Sequence, residues 1–168
     1  MSSTFNLAGK VKVQVLDSNG VLKSEAVHHN IITDEGDAYL ADLLSLVPAR
    51  TKFSPTNCFI SVGTGWTGTN TKQNGWVNTQ VGNSHLIDPT YPKLAGSWGN
   101  ANDNVLQFQA TFEPGTLNAS GINEAALTTH STNVAENSTV AYAQLTPPVN
   151  VSSADTLIIS WELTFNGA

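Results

Sequence analysis

Gly63-Thr-Gly65-Trp-Thr-Gly68 satisfies the spacing G-x-G-x-x-G and follows an apolar run at residues 57–62, half of the pattern that brings backbone amides to a pyrophosphate. The other half is a helix opening at that point, and Thr69-Asn-Thr-Lys-Gln-Asn-Gly75 is a run of turn formers instead. No nucleotide cofactor is expected. His28 and His29 are adjacent, so in a strand they point to opposite faces and cannot grip one metal together. His85 and His130 stand alone, and the single cysteine, Cys58, sits in the apolar run Cys58-Phe59-Ile60 as a core thiol would. One cysteine also excludes an intrachain disulfide. No metal site is expected.

Catalytic patterns are equally thin. There is no G-x-S-x-G elbow, and Asp88, Asp103, Glu113, Glu124 and Glu162 show no spacing that singles out a glycosidase-like pair. The expectation is a protein without catalytic residues. Glu124 differs from the rest because Gly121-Ile-Asn-Glu-Ala-Ala-Leu127 places it among apolar residues, and a buried carboxylate must be hydrogen-bonded or paired. It reads as a structural carboxylate, tied to loop amides or to a neighbouring subunit. Trp66, Trp76 and Trp98 lie in a Gly- and Asn-rich stretch, where their rings can stack on sugars, anchor a protein partner, or fold back over the end of the core.

The elements that must position these residues follow from an unusual composition. Of 168 residues, 12% are charged while Thr, Asn and Ser number 19, 17 and 15, which favours strands and polar turns over helices. The net charge is −6 with Arg50 the one arginine, so no basic stripe is available to neutralise phosphates and direct nucleic-acid binding is not expected. No apolar run reaches 18 residues and the first ten residues lack a signal-like core, so neither a membrane span nor secretion is expected. The chain reads as a soluble product made in a cytoplasm.

Val11, Val13 and Val15 alternate with Lys10, Lys12 and Gln14 as in a half-buried strand, and Asp17-Ser-Asn-Gly20 is a strong hairpin turn. A return strand is predicted over 21–27, continuing toward Ile31 and Ile32. Thr33 or Asp34 caps a helix at about 34–47, with Tyr39, Leu40, Leu43, Leu44, Leu46 and Val47 on one apolar face and Pro48 as the stop. Strands follow at about 57–62, 105–112, 121–128, 140–145 and 155–165. A long insertion at about 66–104 carries one short strand near 76–81. The fold class is mainly β: a single antiparallel, jelly-roll-like β-sandwich domain over residues 9–168, preceded by an arm at 1–8 whose Phe5 and Leu7 are candidate partner contacts.

The order of these segments resembles small tailed-bacteriophage virion proteins. The carrying residues are Asn30-Ile-Ile-Thr-Asp-Glu-Gly36, the short helix at 39–46, Phe59-Ile-Ser-Val-Gly-Thr-Gly65, the I-x-E-x-x-L segment Ile122-Asn-Glu-Ala-Ala-Leu127, the segment from Ala141 to the pair Pro147-Pro148, and the closing strand ending at Phe165. The insertion from Trp66 onward departs from the pattern. The resemblance implies a non-catalytic virion component: a capsid decoration (cement) protein binding the major capsid protein on the head exterior, with a tail- or fibre-associated glycan-binding module as the alternative. Threefold self-association is expected from icosahedral geometry. Deleting residues 1–8 should then weaken attachment and spare the fold.

Overall fold

The computed structural model describes residues 5–68, 71–73, 75–131 and 138–167, with side chains from Leu7 to Asn166. Among the described residues nine strands and one helix follow in chain order: β1 (Phe5–Leu16), β2 (Leu22–Ile32), α1 (Asp34–Leu43), β3 (Phe59–Gly63), β4 (His85–Leu86), β5 (Lys93–Leu94), β6 (Val105–Phe112), β7 (Ala119–Thr128), β8 (Thr139–Val151) and β9 (Thr156–Gly167). All pair antiparallel in the order β4-β3-β7-β8-β2-β1-β9-β6-β5. The pairing is nested, β1 with β9, β2 with β8 and β3 with β7, as when a long hairpin is rolled into a jelly roll. The predicted class, mainly β with an antiparallel sandwich-like architecture and one helix, is the observed one.

One strand belongs to both layers. β2 pairs with β1 from Leu22 to His29 and with β8 over Asn30–Ile32, so the sheet folds over at that point. The far ends approach each other as well, since the Asp88 amide after β4 donates to the Gln109 carbonyl of β6 at 2.7 Å. Val11, Val13, Val15, Phe108, Ile159 and Trp161 fill the core from one layer, and Ile60, Val62, Ile122, Ala125, Leu127 and Leu145 from the other. Along β7 and β8 successive residues are buried on both faces, because Val77, Trp66 and Trp76 cover Ala126 and Tyr142 from outside.

The first hairpin forms as the sequence predicts. Asp17 accepts from the Asn19 and Val21 amides at 2.8 and 2.9 Å, and Gly20 takes the positive φ of 77°. Phe5 to Ala8, expected as part of an arm, instead continue β1 and pair with Gly167 to Thr164. The remaining arm, residues 1–4, lies outside the described residues. A strand near 76–81 is absent; only an isolated bridge joins Gly63 and Gln80.

Thr33 caps α1. Its hydroxyl accepts from the Gly36 amide at 2.9 Å and donates to the Thr139 carbonyl, tying the helix to β8. Thr33→Ala should therefore lower stability by about 1–2 kcal/mol, the upper part of the capping range, read from urea unfolding midpoints. The helix ends four residues earlier than its letters suggest. The Asp42 carboxylate accepts from the Arg50 amide at 2.7 Å and from the Ala49 amide at 3.2 Å, which turns the chain away after Leu43. Leu44, Leu46 and Val47 consequently stand in solvent, 88%, 98% and 81% exposed, and do not extend the buried face.

Candidate functional site

Three sites gather the residues singled out by sequence. The first centres on Glu124, whose carboxylate is fully buried and, among the described residues, is held by neutral donors. Oε1 accepts from the amides of Gly65 (2.8 Å), Asn78 (3.0 Å) and Thr79 (3.0 Å); Oε2 accepts from the Tyr142 hydroxyl and the Asn78 side chain (3.3 Å). Fixed N–H dipoles thus replace water around the acid. The loop after β3, the excursion at 76–80, β7 and β8 all converge on this group. A Cβ on Gly63 would lie 2.5 Å from Glu124 Oε1, Thr79 O and Val77 Cγ1, which is why the V-G-T-G turn needs glycine there. The Gly-x-Gly pattern brings one amide, that of Gly65, to the protein's own carboxylate.

The tryptophans part company. Trp66 stacks on Tyr142 with ring centroids 5.2 Å apart and 16° between planes, and its amide donates to Asn123 Oδ1. Trp76 packs on the same cluster. Trp98 alone is open to solvent, 89% exposed. Its loop is well braced: the Gly96 amide donates to the Asn102 carbonyl, and the Gly99 amide donates to Asp103 Oδ2 at 2.8 Å.

The third site is an apolar face. A groove of about 590 Å³ between the end of α1 and the β1–β9 ladder is lined by Leu7, Leu40, Ala41, Leu43, Leu44 and Phe165, with Asp37 at its rim. The exposed Leu46 and Val47 stand on the turn that follows α1. That turn is held by Asp42, by the Arg50–Glu35 ion pair at 2.7 Å and by the Tyr39 hydroxyl donating to the Thr51 carbonyl. Rigid presentation lowers the ordering cost of binding. Leu7 belongs to this site; Phe5 lies in β1 but its side chain is outside the described residues.

The other candidates are accounted for locally. Asp88 accepts from the Thr111 amide and hydroxyl and from Gln109 Nε2; Glu162 takes Lys10 and Gln107; Asp103 holds Gly99; Glu113 is exposed. Burial pushes the Cys58 thiol far above its ordinary range, so it stays protonated. His28 accepts weakly from the Thr146 amide at 3.4 Å and burial lowers its pKa. Among the described residues no three His, Cys, Asp or Glu side chains form a metal-binding group.

Asp155, which sequence reasoning passed over, is the carboxylate with a marked shift. The Lys23 ammonium at 2.7 Å, helped by the Ser152 amide, holds its pKa at about 2. A depressed folded-state pKa adds stability above the ordinary carboxylate range, and this is lost as pH falls from about 4 toward 2. Asp155→Asn should flatten the acid limb of the stability profile in that window, measured as unfolding midpoint against pH. Comparison with protein-family models, with curated proteins and with solved structures finds no match.

Proposed function

We propose that the protein is a structural component of a tailed-bacteriophage particle, a decoration protein that sits on the head exterior, binds the major capsid protein and stabilises contacts between capsomers without catalysis. The observation that carries this reading is the apolar face at the end of α1, where three nearly fully exposed aliphatic side chains stand on a braced turn next to an apolar groove. Clustered exposed apolar side chains mark a protein-binding site more often than a monomer's ordinary surface. The resemblance of the segment order to that of small phage virion proteins points to the partner. With charge so scarce, contacts to a shell would rely on apolar burial and neutral hydrogen bonds, which salt screens little.

The test has two parts. In purified particles the ratio of this polypeptide to the major shell protein should be of the order expected for a head-surface component; a handful of copies per particle would place it at the tail and overturn the reading. Leu46→Asp with Val47→Asp should abolish binding to undecorated heads while the melting temperature stays unchanged, since neither side chain is packed. Retained binding would remove the face from the proposal.

Trp98 sustains a second reading, a tail- or fibre-borne module that recognises surface glycan. One exposed indole on a braced loop rich in Asn and Gly offers a stacking surface with amide donors nearby. Trp98→Ala would then abolish binding to host cells, whereas changes at Trp66 or Trp76 would act through the fold.

A further inference from the structure

Sheet edges attract other strands, and most edges here are blunted. β4 and β5, the outermost strands, are two residues long, and β8 carries Pro147-Pro148 where it borders the cleft beside β2. β2 is different. Among the described residues, its segment from Leu22 to His28 pairs with β1 on one side and with no strand on the other, because contact with β8 begins at Asn30. The segment contains neither proline nor glycine. A cleft of about 330 Å³ separates it from β8, floored by Val13 and Val15 and walled by Pro147, Pro148 and Val149.

The sequence along this edge is Val21-Leu-Lys-Ser-Glu-Ala-Val27, and it is self-complementary when read antiparallel about Ser24. A copy placed by a twofold axis at Ser24 sets Lys23 opposite Glu25 and Glu25 opposite Lys23. It also sets Val21 opposite Val27 and Leu22 opposite Ala26, in both directions. Along the regular part of the strand, Lys12↔Val27 and Gln14↔Glu25 are cross-strand pairs on the outer face, whereas Val13↔Ala26 and Val15↔Ser24 point inward, so Glu25 and Val27 share the outer face, and Lys23 stands at the register shift between Val15 and Leu16. Val21 and Val27, 60% and 59% exposed, gain cover from each other in the pair. Opposite-charge and apolar cross-strand pairs stabilise such a ladder, and like charges directly opposite destabilise it.

We propose that the open edge of β2 is a self-recognition surface: a second copy of this chain adds its own β2 antiparallel about Ser24, extending the sheet across a twofold axis. The contact is isologous and makes dimers. Threefold association, expected above from icosahedral geometry, would use a different surface. Existing ion pairs leave room for the new ones. Lys23 already meets Asp155, and Glu25 meets Lys12 through Oε2 at 3.0 Å, but an ammonium has three donors and a carboxylate two oxygens. The proposal stands apart from the virion reading, since it concerns the purified chain alone.

Sedimentation of the full-length protein across a concentration series tests it, with four samples: wild type, Lys23→Glu, Glu25→Lys and an equal mixture of the two variants. Wild type should show a monomer–dimer equilibrium. Each single variant puts like charges opposite each other twice and should weaken dimerisation by about tenfold or more. The mixture should restore dimers, since all-acidic and all-basic edges then face each other. Melting curves identify a variant that fails to fold, and Ser24→Cys gives an independent arm: it should cross-link as a disulfide dimer under mild oxidation, whereas Ser18→Cys in the turn should not. Wild type monomeric throughout, a trimer, dimers indifferent to both charge reversals, or no preferential cross-link at Ser24→Cys would overturn the proposal.

Discussion

Glu124→Ala is expected to destabilise the protein by about 4 kcal/mol or more, because it strips the shared acceptor from the amides of Gly65, Asn78 and Thr79 and from the Tyr142 hydroxyl. Each buried donor left unsatisfied costs roughly 1–3 kcal/mol, and partial rehydration of the vacated space keeps the sum below simple addition. Glu124→Gln is near-isosteric but turns an NH2 toward donors, so it should recover only part of the loss. Chemical unfolding measures the total. Hydrogen exchange locates it: amides at 65, 78 and 79 should lose protection in Glu124→Ala well before those of the β1–β9 ladder. Uniform loss of protection throughout, or a cost below about 1 kcal/mol, would show that the excursion does not depend on this carboxylate.

Gly63→Ala should cost about 3 kcal/mol, the high end for overpacking, although only one methyl is added. The added carbon meets Glu124 Oε1, Thr79 O and Val77 Cγ1, each at 2.5 Å, and one of the three belongs to backbone that cannot rotate away. Relief requires the 77–79 segment to retreat, which also lengthens the hydrogen bonds to Glu124. The two substitutions should therefore be far less than additive when combined, a double-mutant cycle giving a coupling energy of at least about 1 kcal/mol between neighbouring sites. Full additivity would separate the glycine from the carboxylate.

These two residues also show what could be read from letters. An acid inside an apolar strand signals buried hydrogen bonding, and the sequence carries that signal at Glu124. The backbone amides it binds lie 45 to 59 residues away at Thr79, Asn78 and Gly65, with no local pattern to announce them. β1 and its turn were legible because one face is buried and one is wet, giving a clean period of two. β7 and β8 blur that period because the excursion covers their outer face. The letters of the excursion suggest a loop with one strand near 76–81. Its real strands are two residues long, too short for periodicity to register, and tertiary hydrogen bonds order the rest. Helix letters run on past Leu43, but one side chain, Asp42, bends the chain there. An apolar residue on an interaction face and one on a packed helix face are the same letter, so Leu46 and Val47 read as part of the apolar face of α1.

Phe5 lies beside Gly167, and from there β1 and β9 remain paired to Leu16 and Thr156. Tension applied to those two ends would therefore act across the ladder and part it one rung after another, like a zip. A pull between Phe5 in β1 and Thr156 in β9 would instead load many rungs in shear at once. Held at Phe5 and Gly167 the molecule should yield at low force, and held at Phe5 and Thr156 it should resist.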